Sequence, residues 1–404
     1  MKTKVLFWAL FFNLLVFGVS FAGDDSGKIN KVRLTWDISP RAVFYQVVIL
    51  KSKIDTPENI EVFFNKVFNN GIEIDLSHAQ NARNFYYKVC PLNYDGEPVE
   101  KFSHPKSILA GEINTNSPKP VALLNKNEDA PLYPVYSWIP MLGAKNYEVE
   151  VYRKRQNNNT LIHTLRTTSN SIYEKAGYTY PDHYFWRVRA IDMKGNPTSD
   201  WSQNIDFTVK KDVKIAALGD SITHGGGAIS VPPSSPVYRY EAYAGIEIKN
   251  LGRSGDKTKD MLNRFDGDVL PFHPKILLIM GGVNDIREGI SSAVTIENLS
   301  EIKEKCNKNG ITPVFVTTTP VNPDLTWRAL SNTKLPYDYK KKIKNINNWI
   351  MSQQYAIDVT SALCGEDMYL YPGLTTDGIH PDHVAKERIG KIITEYIRKT
   401  FPNI

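Results

Sequence analysis

Ser221 stands in Leu218-Gly-Asp-Ser-Ile-Thr-His-Gly-Gly-Gly227, a stretch that also holds Asp220, His224 and three successive glycines. A serine hydroxyl is a poor nucleophile until a base takes its proton, so these residue types together raise the possibility of acyl transfer through a serine. Several arrangements compete. A G-x-S-x-G nucleophile elbow needs a second glycine two residues after the serine, where Thr223 stands. His224-Gly-Gly-Gly227 imitates the H-G-G-G oxyanion loop of some lipases, but that loop precedes its nucleophile and this one follows. A phosphate-cradling loop requires a lysine after the glycines, and none is present. G-D-S-x-x-x-G, from Gly219 to Gly225, remains. Two further groups could join the same chemistry: Gly282-Val-Asn284-Asp285 and Asp377-Gly-Ile-His380.

These groups need elements to position them. From Val213 onward, short apolar runs read as strands: Lys214–Leu218, Ile246–Ile248, Ile276–Met280, Pro313–Val316 and Ala356–Val359. Helical spacing lies between them at Thr258–Phe265, Ile296–Asn307 and Tyr339–Met351. Alternating strands and helices over residues 213–404 predict a parallel sheet covered on both faces, a three-layer α/β/α domain. In such sheets the functional loops follow the carboxyl ends of strands, which is where Ser221 and Asn284 fall.

The joint pattern resembles the GDSL family, also called SGNH hydrolases, in four short blocks taken in order. The first is Gly219-Asp-Ser221, and the second is Asn250-Leu-Gly-Arg-Ser-Gly-Asp-Lys-Thr258, which places its glycine at Gly255. The third is Gly282-Val-Asn284-Asp285, and the fourth is Asp377-Gly-Ile-His380 with Pro381 after it. The resemblance implies a flavodoxin-like fold, an esterase activity and no metal or other cofactor. It assigns Ser221 as nucleophile and His380 as base, and Asp377 is suited to hold the imidazole by its other nitrogen. The resemblance also implies an oxyanion hole made by the N–H groups of Ser221 and Gly255 and the amide of Asn284. Asp220 and Asp285 are expected to order loops by accepting backbone N–H bonds.

Blander readings stand beside these. Ser221 could simply cap a helix, Asn284 could be a turn residue and Gly255 an ordinary loop glycine. Asp377, His380, Asp382 and His383 could suggest a metal cluster, but their spacing matches no standard site. His383 is expected to open the final helix, His273 to be structural, and His224 to be a possible substrate contact.

Upstream, residues 28–113 and 118–210 read as alternating strands and resemble each other. Leu34-Thr-Trp36 precedes Tyr45-Gln-Val-Val-Ile49 as Tyr136-Ser-Trp138 precedes Tyr147-Glu-Val-Glu-Val151. Tyr87-Lys-Val89, Asp95-Gly96 and Phe102-Ser103 correspond to Trp186-Arg-Val188, Lys194-Gly195 and Trp201-Ser202. Two β-sandwiches are expected, each with a core tryptophan and a hairpin glycine at positive φ. They resemble fibronectin type III domains, the second more closely, since Cys90-Pro91 interrupts the pattern in the first. The resemblance implies spacing or binding roles.

The chain begins with Lys2 and Lys4, an apolar run from Val5 to Val19 and small residues ending at Ala22. Residues 1–22 are read as a secretory signal, implying a periplasmic or extracellular protein; a membrane anchor is the alternative. No cysteine follows the run, which argues against a lipoprotein, and no later segment is apolar enough to span a membrane. Beyond the signal, 47 basic residues face 43 acidic ones, a scattered net charge of +4 that carries no nucleic-acid footprint. Lys340-Lys341-Lys342 with Lys344 reads as a solvated helix face. Cys90, Cys306 and Cys364 are expected to be buried thiols, although Cys306 and Cys364 could pair.

Export together with two sandwich modules favours a polymeric substrate, and an acetylated polysaccharide losing O-acetyl groups is the leading expectation. A lipase or lysophospholipase is the alternative within the family, and a non-catalytic glycan-binding or adhesion protein the alternative outside it. Segments 228–243 and 320–339 are candidate groove walls, with Tyr238 and Trp327 as possible substrate contacts.

Overall fold

A computed structural model describes residues 28–121, 129–156, 158–227, 235–330 and 334–404. The proposed signal, 1–22, lies outside the described residues, as do Pro232 and Pro233 of one expected groove wall.

Residues 31–113 form seven strands: β1 (Lys31–Thr35), β2 (Phe44–Leu50), β3 (Ile60–Val67), β4 (Gly71–Asp75), β5 (Tyr86–Leu92), β6 (Lys106–Ser107) and β7 (Glu112–Ile113). They make two antiparallel sheets, β4-β1-β7 and β3-β2-β5-β6. Residues 119–209 form β8 (Lys119–Val121), β9 (Val135–Ile139), β10 (Asn146–Arg153), β11 (Thr160–Thr167), β12 (Ser171–Tyr173), β13 (Asp182–Ile191) and β14 (Ile205–Val209). Their sheets are β12-β9-β8 and β11-β10-β13-β14. The strand order repeats between the two units, except that β7, from the end of the first unit, takes the edge that β8 holds in the second.

The period-two pattern explains the strands. In β10, Tyr147, Val149 and Val151 are buried against the facing sheet, while Glu148 and Glu150 project the other way. There Arg166 and Arg189 clasp Glu148 at 2.8 and 2.6 Å, and Arg187 holds Glu150 at 2.7 Å. Gly96 and Gly195 take φ of +84° and +88° in equivalent hairpins, as expected. Trp138 fills its core completely, but Trp36 is only partly buried at the margin of its own.

The third unit holds a five-stranded parallel sheet in the order β16-β15-β17-β18-β19. Its strands are β15 (Ile215–Gly219), β16 (Lys249–Gly252), β17 (Ile276–Met280), β18 (Thr312–Val316) and β19 (Ala356–Ile357). The helices are α1 (Ser221–His224), α2 (Thr258–Asp268), α3 (Val283–Arg287), α4 (Ser292–Lys308), α5 (Trp327–Leu330), α6 (Tyr339–Met351) and α7 (His383–Thr400). The chain leaves β15 in one direction for β16 and then returns past it to β17. Right-handed crossovers in opposite directions put their helices on opposite faces, which produces three layers. Among the described residues no helix is long and apolar enough to cross a membrane.

The second strand differs from expectation: it is Lys249–Gly252, not Ile246–Ile248. Lys249 is fully buried, with Nζ 2.8 Å from both Asp129 Oδ1 and the Ala130 carbonyl of the second sandwich. A buried charge with a partner far away in sequence disguises the strand as surface. Cys90, Cys306 and Cys364 are all buried and unbridged.

Candidate active site

β15 ends at Gly219, and the chain turns at once into the single helical turn α1. Asp220 caps that turn, accepting the Ile222 N–H at 2.9 Å. Capping therefore falls to Asp220, and the Ser221 hydroxyl meets another partner. Ser221 Oγ lies 2.8 Å from His380 Nε2, and His380 Nδ1 lies 2.7 Å from Asp377 Oδ2. Asp377 Oδ1 accepts the N–H groups of Ile379 and His380 at 2.9 and 2.8 Å. Burial opposes the charge on Asp377, but the adjacent imidazole and these N–H bonds outweigh it and hold the carboxyl below its ordinary range. An ionised carboxylate only accepts, so Nδ1 carries the proton and Nε2 turns its lone pair toward Ser221.

The glycines make room for this arrangement. Gly225 ends α1 at φ +105°. A Cβ on Gly226 would sit 2.8 Å from His380 Cδ2, so only glycine leaves space for the ring. Gly255 takes φ +90°, and a Cβ there would meet nothing within 4 Å. Its requirement is conformational, and open space lies beside it.

Asn284 sits in α3 beyond the end of β17. Its amide nitrogen donates to the Asp256 carbonyl at 2.8 Å, and its oxygen accepts from Arg287 Nη1 at 2.9 Å. Both bonds fix the orientation of the amide, and one of its two N–H groups is committed to Asp256. Asp285 accepts the Thr258 N–H and hydroxyl at 2.9 and 2.5 Å, tying the start of α2 to α3, the loop-ordering role expected of it. Arg264 bonds Asp256 at 2.5 Å, Asp268 at 2.9 Å and the Gly219 carbonyl at 3.0 Å, so one buried guanidinium joins the Ser221 and Gly255 loops.

Sequence reasoning missed Lys386. It is fully buried on α7, and its Nζ donates to the Ile222 carbonyl within the Ser221 turn. Burial pulls its ammonium down to about 7, against the attraction of Glu241, Asp220, Asp377 and Asp382. Burial also pushes Asp220 up to about 6, against the Ile222 N–H and the charges of His380 and Lys386. Helical spacing gave no hint of Lys386, because a lysine on a terminal helix reads as solvated. His383 opens α7, with Asp382 as its N-cap.

Two expected substrate contacts are corrected. His224 is only 1% exposed, with Nε2 2.6 Å from the Tyr133 carbonyl and Nδ1 2.9 Å from Ser254 Oγ. A carbonyl only accepts, so the proton is on Nε2. Burial holds this ring neutral down to about 4; the Tyr133 bond opposes that and the nearby Arg264 and Arg239 charges reinforce it. His224 fastens the second sandwich to the Ser221 turn. Tyr238 is also 1% exposed, its ring against Gly227 and its hydroxyl 3.1 Å from the Pro40 carbonyl of the first sandwich. Trp327 remains 54% exposed.

Residues 217–387 match the GDSL-like lipase/acylhydrolase family. The C-terminal unit is a domain of that family. An uncharacterized lipoprotein, YqeF, of Bacillus subtilis (strain 168) is 33% identical over 118 residues, 26% of this chain and 49% of the relative. The chain thus spans about half the length of that curated relative. Among solved structures, a lipase/acylhydrolase from Enterococcus faecalis is 27% identical, covering 46% of this chain and 96% of its own, with a TM-score of 0.37. An acetylxylan esterase from Geobacillus stearothermophilus is 18% identical, covering 47% and 96%, with a TM-score of 0.36.

Proposed function

We propose that this protein is an exported serine esterase that removes O-acetyl groups from a polysaccharide, using Ser221, His380 and Asp377. The observation that carries the mechanism is the continuous contact from Ser221 Oγ through His380 to Asp377, at 2.8 and 2.7 Å. Ser221 Oγ attacks the ester carbonyl while His380 Nε2 takes its proton, and Asp377 stabilises the imidazolium so formed. The negative charge on the tetrahedral oxygen is received by the N–H groups of Ser221 and Gly255 and by the Asn284 amide. The sugar hydroxyl leaves with the proton from His380. Water, activated by the same nitrogen, then releases acetate and restores the hydroxyl.

The polymeric substrate is supported by the two sandwiches, whose sheets repeat one strand order apart from the β7 edge and whose sequences resemble fibronectin type III modules. The acetylxylan esterase among the similar folds agrees with an acetyl ester. Export is supported by the leader-like run of residues 5–19 and by the lipoprotein name of the Bacillus relative.

Ser221→Ala and His380→Ala should each lower kcat on p-nitrophenyl acetate at least about a thousandfold with the fold intact. Residual activity within tenfold of the parent would remove the mechanism. A panel of acetylated glycans run beside lysophospholipids tests the substrate: release of fatty acid without acetate would make the protein a lysophospholipase.

A further inference from the structure

The two expected groove walls meet the same end of the first sandwich. Val43, Phe44, Cys90 and Leu92 form an apolar patch closed by Tyr238. On the other wall, Arg328 pairs with Asp95 at 2.9 Å and lies 4.3 Å over the Tyr94 ring. Aromatic rings continue across this joint. Phe68 lies 5.0 Å from Phe44, Phe44 lies 6.2 Å from Tyr94, and Tyr94 lies 6.0 Å from Trp327. Phe44 is an interior link, whereas Phe68 is 50% exposed and Trp327 slightly more so. A row that served only to join two domains would have no reason to leave both end rings half in water.

The Trp327 end is tied to the loop that carries His380. Arg328 Nη1 donates to the Thr376 carbonyl at 3.3 Å, and the Asn322 N–H donates to the Gly378 carbonyl at 2.7 Å. Gly378 packs so closely that a Cβ there would come 2.4 Å from the Asn322 carbonyl. The row therefore starts on the segment that braces the His380 loop and leads away onto the first sandwich.

We propose that Trp327, Tyr94 and Phe68 are a binding track for the glycan chain of a polymeric ester; this rests on the polysaccharide esterase reading above. Sugar rings present C–H faces that aromatic side chains can cover, with hydroxyls directed to the rim. The charged groups along the row suit that rim: Lys66 lies 5.6 Å from the Phe44 centroid, and the Asp95–Arg328 pair flanks Tyr94 toward the Trp327 end. A long acyl chain would call for an enclosing apolar pocket, whereas the two end rings of this row stand half in solvent.

The test compares the parent with Phe68→Ala, Trp327→Ala and the double variant on acetylated xylan and on p-nitrophenyl acetate. KM for the polymer should rise at least roughly fivefold more than KM for the small ester in each single variant, and further in the double. Equal changes on both substrates would make the row a structural joint and overturn the proposal. A rise confined to p-nitrophenyl decanoate would overturn it in favour of an acyl track. If the parent releases no acetate from polymers, the esterase reading has failed on its own. The track is then decided by gel retardation of Ser221→Ala on acetylated xylan, glucomannan and pectin. Retardation that weakens with Phe68→Ala supports the track, and no retardation by any polymer removes it.

Discussion

The two sandwiches share a strand order but are joined to the hydrolase in opposite ways. The second shares a continuous core with it, from Tyr136 and Trp138 through Ala216 and Leu218 to Ile397. Its polar bonds there are buried: Lys249 to Asp129, the Leu132 N–H to the Asn250 carbonyl at 2.8 Å, His224 to the Tyr133 carbonyl, and the Tyr133 hydroxyl to Asp268 at 2.6 Å. The first sandwich keeps a core of its own and touches the hydrolase through a small apolar patch, the Tyr238 bond to the Pro40 carbonyl, the Tyr94–Trp327 ring contact and the Asp95–Arg328 pair, in which Asp95 is 57% exposed. Breaking a buried pair costs about 3–5 kcal/mol, while an exposed one contributes about 0–1 kcal/mol. The two modules thus differ: one shares its core with the hydrolase, and the other joins it through a smaller contact.

The contrast can be broken most forcefully by deletion. Removing 118–210 should leave no cooperatively melting hydrolase, whereas removing 28–113 should leave one; calorimetry on both truncations checks this. Equal loss in both would erase the distinction.

A smaller and sharper effect concerns His224. The folded protein keeps its ring neutral down to about 4, while an unfolded histidine protonates near 6.5. Between those values the unfolded chain binds the additional proton, so this contribution is complete above about pH 6.5 and is lost as pH falls toward 4. At pH 5 the loss is roughly 2 kcal/mol. His224→Gln should flatten the decline in Tm between pH 7 and 5 relative to the parent. Asp220 titrates in the opposite sense but in both proteins, so it cancels in the difference. Parallel Tm curves would show that the second sandwich is not held through this ring.

Least is expected from Asp95→Ala at the other joint. Denaturant unfolding should place its cost below about 1 kcal/mol. A cost of 3 kcal/mol or more would mean that the first sandwich is fastened as firmly as the second.

What was legible in the sequence was whatever repeats or clusters locally. The paired sandwiches showed through spacings repeated between Trp36 and Trp138, and the parallel sheet through short apolar strands such as Ile276–Met280. The residues around Ser221, Asn284 and His380 could be picked out because each sits in a short block at a strand end or near the final helix. What stayed hidden depended on partners from another domain. β16 was misplaced because Lys249 finds Asp129 about 120 residues away. His224 looked like a substrate contact because its true neighbour, Tyr133, lies 91 residues upstream in the second sandwich. Tyr238 was aromatic and near the serine, yet its face belongs to the first sandwich. Lys386 carried no signal, since its role comes only from the closeness of α7 to the Ser221 turn.

Ser221 and His380 are separated by 159 residues, and the strands β16 to β19 must be laid down between them. Contacts of such sequence separation form slowly, because chain entropy must be spent before they repay it. The hydroxyl and the imidazole therefore come within reach only when the sheet and α7 are in place. Hydrolysis of a chromogenic ester during refolding would act as a clock for the last step of assembly, separate from the earlier appearance of helix.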